Sequence, residues 1–130
     1  MIVVDSSAVL AVLLGEAGAA EMADALSRAS SRTMSPVNHV ETTAVLLGRR
    51  GDAAVAEYGA FVRELAVRLH PIDADTATLA ADAYRVFGKG RHPAGLNLGD
   101  CFAYATAKAL NAPLLYVGDD FAMTDLAAVA

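Results

Sequence analysis

Two short apolar runs, each closed by an acid, stand at the two ends of this chain: Ile2-Val-Val-Asp5 and Leu114-Leu-Tyr-Val-Gly-Asp119. Both read as buried strands, too short for helices and built from β-branched and aliphatic side chains. The stretch between them is mostly helical in pattern. Strands separated by helices pair in parallel, because parallel neighbours need long crossovers, and the helices then cover both faces of the sheet. In such sheets ligands sit beyond the carboxyl ends of the strands, near the point where the strand order reverses. Topology alone therefore brings Asp5 and Asp119 or Asp120 to one edge.

The spacing predicts helices over 6–14, 17–28, 36 to about 47, 53–66 and 73–87, and one from a cap at Asn97 to Asn111. Shorter strands are expected at 33–34 and 67–72. Ser35-Pro36 is a helix start, with the serine capping and the proline pre-set at the first helical position. Gly48 is expected to begin the fraying end of that helix and Gly51-Asp52 to stop it. The result is an α/β class: one domain over residues 1–130, with a central parallel sheet of four to five short strands between helices.

A chain of 130 residues leaves no room for a second domain. Its 55% apolar and 19% charged residues exclude disorder. The single cysteine, Cys101, excludes a disulfide scaffold, fits a reducing cytoplasm and reads as a small packing residue. Asp5, Glu16, Glu21 and Asp24 interrupt every early apolar run before about 18 residues, so neither a spanning helix nor a signal peptide is expected. The net charge of −5 weakens a nucleic-acid reading without closing it. Basic residues cluster at Arg49 with Arg50 and at Arg85, Lys89, Arg91 and His92.

Four acids need an explanation. On the helix from Pro36 the apolar residues Val37, Val40, Ala44 and Leu47 form a stripe, and Glu41 falls on it. A carboxylate on a buried face calls for a partner. Asp5, Asp100 and the Asp119-Asp120 pair each have a plain structural reading taken alone, as a cap, a first-turn acid and a turn. Taken together, two strand ends, a helix face and a helix start point at one cleft. Carboxylates that close repel by on the order of 4 kcal/mol per pair at an effective dielectric of about 20. A cation relieves this, and an all-oxygen donor set suits Mg²⁺ or Mn²⁺. Such a cation lowers the pKa of an attending water and neutralises a phosphodiester, which implies phosphoryl hydrolysis.

The segments Ile2-Val-Val-Asp5-Ser-Ser7-Ala, Ser35-Pro-Val-Asn-His-Val-Glu41, Asn97-Leu-Gly-Asp100-Cys-Phe-Ala-Tyr-Ala and Leu114-Leu-Tyr-Val-Gly-Asp119-Asp120-Phe resemble, in family order, the PIN-domain ribonucleases, and among them the VapC toxins of toxin–antitoxin modules. The resemblance implies a PIN-like fold and a Mg²⁺-dependent endoribonuclease, with Mn²⁺ as substitute. Its activity would cut structured RNA such as tRNA or rRNA and inhibit translation and growth. It also implies neutralisation by a cognate VapB antitoxin, a homodimer and a toxin–antitoxin hetero-oligomer in the cytoplasm, with no membrane partner. Carried over residue by residue, Asp5, Glu41 and Asp100 match the acidic ligands, and Ser7 the hydroxyl that supports the first. The fourth acid is Asp119 or Asp120, with Asp119 preferred. Asn97 either orients the site or caps its helix, the cap being preferred. Lys89 and Arg91 lie in a loop suited to phosphate contact or to plain exposure. His39, His70 and His92 are read as non-ligands: His39 points about 200° from Glu41 around the helix.

Two other classes share parts of the pattern. A haloacid-type phosphatase also begins with an apolar strand ending in Asp, but needs a second Asp where Ser7 stands. A receiver-like signalling domain needs a lysine after a late strand, whereas Lys108 falls inside a predicted helix.

Overall fold

A computed structural model describes residues 1–129. In chain order the elements are β1 (Ile2–Val4), α1 (Ser6–Leu14), α2 (Ala19–Arg28), β2 (Arg32–Met34), α3 (Pro36–Arg50), α4 (Asp52–Glu64), β3 (Val67–Leu69), α5 (Ala74–Phe87), α6 (Leu98–Leu110) and β4 (Leu114–Leu115), followed by a 3-10 turn at Phe121–Met123. The four strands form one parallel sheet in the order β3-β2-β1-β4. The chain moves outward from β1 to β3, then crosses back to place β4 on the other side of β1. The switch point is thus between β1 and β4.

Two cores lie on opposite faces of this sheet. Ile2 and Val4 point into one, with Val9, Leu26, Leu46 and Tyr58 from α1 to α4. Val3, between them, points into the other, with Ala83, Leu96, Cys101 and Ala105 among its members. This alternation is the period-two pleat of a strand covered on both sides. Cys101 is a buried free thiol in the second core.

Helix ends follow the capping chemistry. Ser35 Oγ accepts from the Val37 amide at 3.2 Å, with Pro36 in the first turn. Asn97 and Asp100 form a reciprocal capping box, each side chain accepting from the other's backbone N–H. Gly48 does not fray α3, which continues to Arg50 and closes at Gly51 with φ 80°. The α2 helix starts at Ala19, two residues later than its pattern, after a turn through Gly18 at φ 89°.

The strands are shorter than their apolar runs. Beyond Leu115 the Val117 amide leaves the ladder and donates to Ser7 Oγ at 3.0 Å. β3 ends at Leu69 on an open sheet edge, with Arg68 and Leu69 exposed. The buried side of α3 also differs from the apolar stripe: Asn38, Thr42 and Leu46 are buried, while Val40 and Leu47 are exposed. Polar side chains face inward there because their groups have partners. Thr42 Oγ1 donates to the Asn38 carbonyl at 2.7 Å, and the Asn38 amide donates to the Gly99 carbonyl at 3.1 Å.

Candidate active site

Asp5 sits at the carboxyl end of the central strand and caps α1. Its Oδ2 accepts from the Ser7 amide at 3.0 Å and from Ser7 Oγ at 2.6 Å. The residue is only 3% exposed, and Oδ1 is buried with no hydrogen-bond partner. Burial pushes its carboxyl up to about 6, against the two Ser7 bonds, and the charges of Asp100 and Glu41 push the same way. Ser7 therefore does two things: it fixes Asp5 and, through Val117, ties β4 to the start of α1.

Glu41 is half-buried on α3, beside Asn38 and Thr42. Ser6 Oγ donates to its Oε1 at 2.6 Å, and Asn38 Nδ2 approaches the same oxygen at 3.4 Å. The carboxylate lies over Gly99 in the first turn of α6, where a β-carbon would stand 2.9 Å from Glu41 Cδ. Asp100 follows Gly99. Burial raises its carboxyl above the usual range, the Asn97 amide opposes this, and the charges of Glu41 and Asp120 add to the rise. Both carboxylates thus stand at the positive end of the α6 dipole, which partly offsets their repulsion.

Four acids from four elements are in this way electrostatically joined: Asp5 with Glu41 and Asp100, and Asp100 with Asp120. Of the two adjacent aspartates in the turn after β4, Asp120 is the one whose charge reaches Asp100. Asp119, also exposed, uses its backbone carbonyl to accept from Ala122 at 3.2 Å.

Asn97 caps α6. Lys89 and Arg91 are exposed on the loop before it, whose backbone closes through Lys89 N to Leu96 O and Arg91 N to Gly88 O, both at 3.0 Å. The histidines have structural partners. His39 Nδ1 lies 2.8 Å from Tyr58 Oη, and His92 Nδ1 accepts from the Ala94 amide at 3.0 Å while its ring meets Phe87 edge-on. The His70 amide donates to the Met34 carbonyl at 3.0 Å.

Among the described residues no three His, Cys, Asp or Glu side chains are drawn close enough to form a metal cage. The donor set nevertheless fits a hard divalent cation. It is all oxygen, and one of its oxygens, Asp5 Oδ1, is buried with nothing to accept from. Asp5 is buried, Glu41 and Asp100 are half-buried and Asp120 is exposed. A cleft of about 470 Å³ beside Glu41 is lined by Pro36, Val37 and Val40 and is almost wholly apolar. An equally large cleft lies elsewhere, between α2 and β4, with Met22 and Leu115 among its lining residues.

Sequence reasoning passed over Ser6, Asn38 and Gly99. Their signals were faint: a serine next to the supporting serine, an asparagine three residues before the glutamate on one helix face, and a glycine before Asp100.

The PIN domain family model matches residues 2–126. Ribonuclease VapC of Mycolicibacterium smegmatis is 44% identical over 127 residues, 98% of each chain. Among solved structures, Mycobacterium tuberculosis VapC20, described as a sarcin-ricin loop cleaving toxin, superposes with a TM-score of 0.81 at 20% identity, over 99% of this chain and 98% of that one. VapBC2 from Rickettsia felis, solved bound to a DNA fragment from its promoter, superposes with a TM-score of 0.73 at 12% identity, over 99% and 98%. A parallel sheet with its acids at the switch point, a family match over nearly the whole length and a full-length relative at 44% identity agree: the chain belongs to the PIN-domain family, among its VapC proteins.

Proposed function

We propose that this chain is the endoribonuclease toxin of a toxin–antitoxin module, hydrolysing phosphodiester bonds in a structured RNA with the help of Mg²⁺, for which Mn²⁺ substitutes. The observation that carries this reading is the buried, unpartnered Asp5 Oδ1, beside a set of acids, Glu41, Asp100 and Asp120, whose charges act on Asp5 or on one another. Asp5, Glu41 and Asp100 would hold the cation, with Asp120 as the fourth acid in preference to Asp119. A cation there supplies charge neutralisation for the scissile phosphate and polarises water for attack. Ser7 keeps Asp5 in place, and Asn97 holds the helix that presents Asp100. The ribonuclease name of the 44%-identical relative supports the reaction class, and tRNA or rRNA is the expected substrate, with loss of translation and growth arrest as the result.

The chemistry around the acids suits a cognate VapB antitoxin as partner. Val40 and Leu98, each 65% exposed, flank Glu41 and Asp100, so an apolar segment with a basic side chain would find both contacts it needs. A homodimer and a toxin–antitoxin hetero-oligomer in the cytoplasm belong to the same reading. Lys89 and Arg91 are free to meet the RNA backbone. The competing classes lose ground. Ser7 Oγ is committed to Asp5, and Lys108 pairs with Asp125 at 2.9 Å, so neither an acid–base aspartate nor a receiver lysine faces the site.

Induction of the wild type and of Asp100→Asn in a bacterial host tests the proposal, with growth followed and new RNA ends mapped. Arrest with discrete 5′-phosphate ends, both absent in the variant, is expected. Arrest that persists in Asp100→Asn would overturn the catalytic assignment.

A further inference from the structure

We propose that Ser6 and Asn38 are positioning residues that clamp the Glu41 carboxylate on the Gly99 shelf, and so set how Glu41 meets a cation. The inference rests on the cation-dependent reading above and adds two residues to it. Glutamate on a helix surface has several rotatable bonds, and nothing in α3 itself fixes its carboxylate. The fixing comes from other elements. Ser6 Oγ, on α1, donates to Glu41 Oε1 at 2.6 Å, the short distance of a charge-assisted bond. Its contact with the Asn38 carbonyl, at 3.3 Å, is longer, and a hydroxyl has a single hydrogen to give. Successive serines therefore fasten two acids: Ser7, in the first turn of α1, holds Asp5 at the cap of that helix, and Ser6 holds Glu41 from across the site.

Asn38 completes the clamp. It is 0% exposed, and its Nδ2 donates to the Gly99 carbonyl at 3.1 Å while approaching Glu41 Oε1 at 3.4 Å. Its Oδ1 is buried and accepts nothing. A buried amide with an unsatisfied oxygen is a costly choice for filling space, so its use here lies in its two N–H groups, and both go to the site. One ties α3 to the first turn of α6, and the other steadies the carboxylate. Gly99 makes the shelf, since a β-carbon would run into the Glu41 carboxylate. Among the described residues both donors go to Oε1 and none to Oε2, the oxygen that rests nearest Gly99.

Free Mn²⁺ measured by electron paramagnetic resonance gives the affinity of the full chain without any RNA. Relative to wild type, Ser6→Ala and Asn38→Ser are expected to bind Mn²⁺ 10- to 100-fold more weakly, the usual effect of removing a group that orients a metal ligand. Ser6→Thr, which keeps the hydroxyl, restores most of the affinity. On RNA, Ser6→Ala lowers kcat and leaves KM unchanged. Alanine suits the first turn of α1, so thermal unfolding of Ser6→Ala is expected to match wild type and to separate positioning from folding. A crystal structure of Ser6→Ala without metal adds a readout independent of the cation: the Glu41 carboxylate leaves Gly99. Wild-type Mn²⁺ affinity in both variants, or Glu41 unmoved over Gly99, overturns the proposal. A wild type that binds no Mn²⁺ overturns the cation reading instead, and the clamp then stands or falls on the Glu41 position alone.

Discussion

Asp5 is under two opposed demands. Ser7 gives one of its oxygens two hydrogen bonds, yet burial and the neighbouring acids outweigh them and hold its carboxyl at about 6. Since the unfolded value lies near 3.8, the folded chain binds more protons between the two, and the stability this group contributes is fully present below 3.8 and lost as pH rises through about 6. The loss amounts to about 3 kcal/mol in the metal-free chain at the full shift. Asp73 and Asp125 have lowered values and act in the opposite sense, at lower pH, so the comparison must cancel them. The difference in unfolding free energy between wild type and Asp5→Asn, measured with urea from pH 4 to 7, is expected to fall steadily. A flat difference would contradict the assignment of Asp5 as a strained carboxylate. Cation binding needs the ionised form, so cleavage should rise with pH through the same range. The α6 cap separates structure from chemistry in a second way. Asn97→Ala is expected to cost about 1 kcal/mol of stability and keep measurable cleavage. Asp100→Asn, whose amide oxygen can still accept from the Asn97 N–H, should keep its stability and lose cleavage, as paired denaturation and RNA assays would show.

At the scale of the element, α3 shows what the sequence disclosed and what it hid. Its start was legible because Ser35-Pro36 is local chemistry, as was the Asn97 cap of α6. Its inward face was not, since hydropathy assigns polar residues to the outside, and here Asn38 and Thr42 are inside with partners that only the folded chain supplies. Glu41 is half-buried, but not for the reason the sequence suggests: the stripe of Val37, Val40, Ala44 and Leu47 is not the buried surface of the helix. Strand ends were hidden for the same reason: Val117 gives its N–H to Ser7, a partner distant in sequence. The choice between Asp119 and Asp120 likewise turns on the path of a short turn, which spacing does not encode. Adjacent leucines on α3 test the corrected face. Leu46→Ala, from the core, should cost about 2–5 kcal/mol, while Leu47→Ala should stay within about 0.5 kcal/mol, both read from denaturant midpoints. Equal losses would mean that the helix is rotated from the orientation described.

For the molecule as a whole, charge and apolar surface are distributed together. The chain carries 15 acidic against 10 basic residues, and four of the acids stand at one sheet edge. Beside them Val40 and Leu98 are left in water although the interior is well filled. Exposed side chains of this kind are unremarkable singly, but next to a carboxylate cluster they make a surface with two chemistries. A partner that covers it must bury apolar groups and bring positive charge, and it would occupy the ground a cation and an RNA phosphate need. On the proposed reading, such a partner would inhibit by occlusion, without any change of fold. Val40→Gln keeps the helix propensity of α3 and touches none of the four acids, so cleavage of RNA and the unfolding midpoint should stay near wild type. Its complex with the cognate antitoxin should weaken at least about 5-fold, because truncating or polarising a hot-spot anchor at an interface centre costs more than about 1 kcal/mol. Fluorescence anisotropy with labelled antitoxin measures this directly, and growth during co-expression reports it in the cell, where the variant should escape neutralisation. Raising the salt should weaken wild type and variant alike, since the basic contact with the carboxylates is screened while the apolar one is not. Unchanged affinity in Val40→Gln would place the antitoxin on another face and leave the exposed side of α3 to the second copy of the chain.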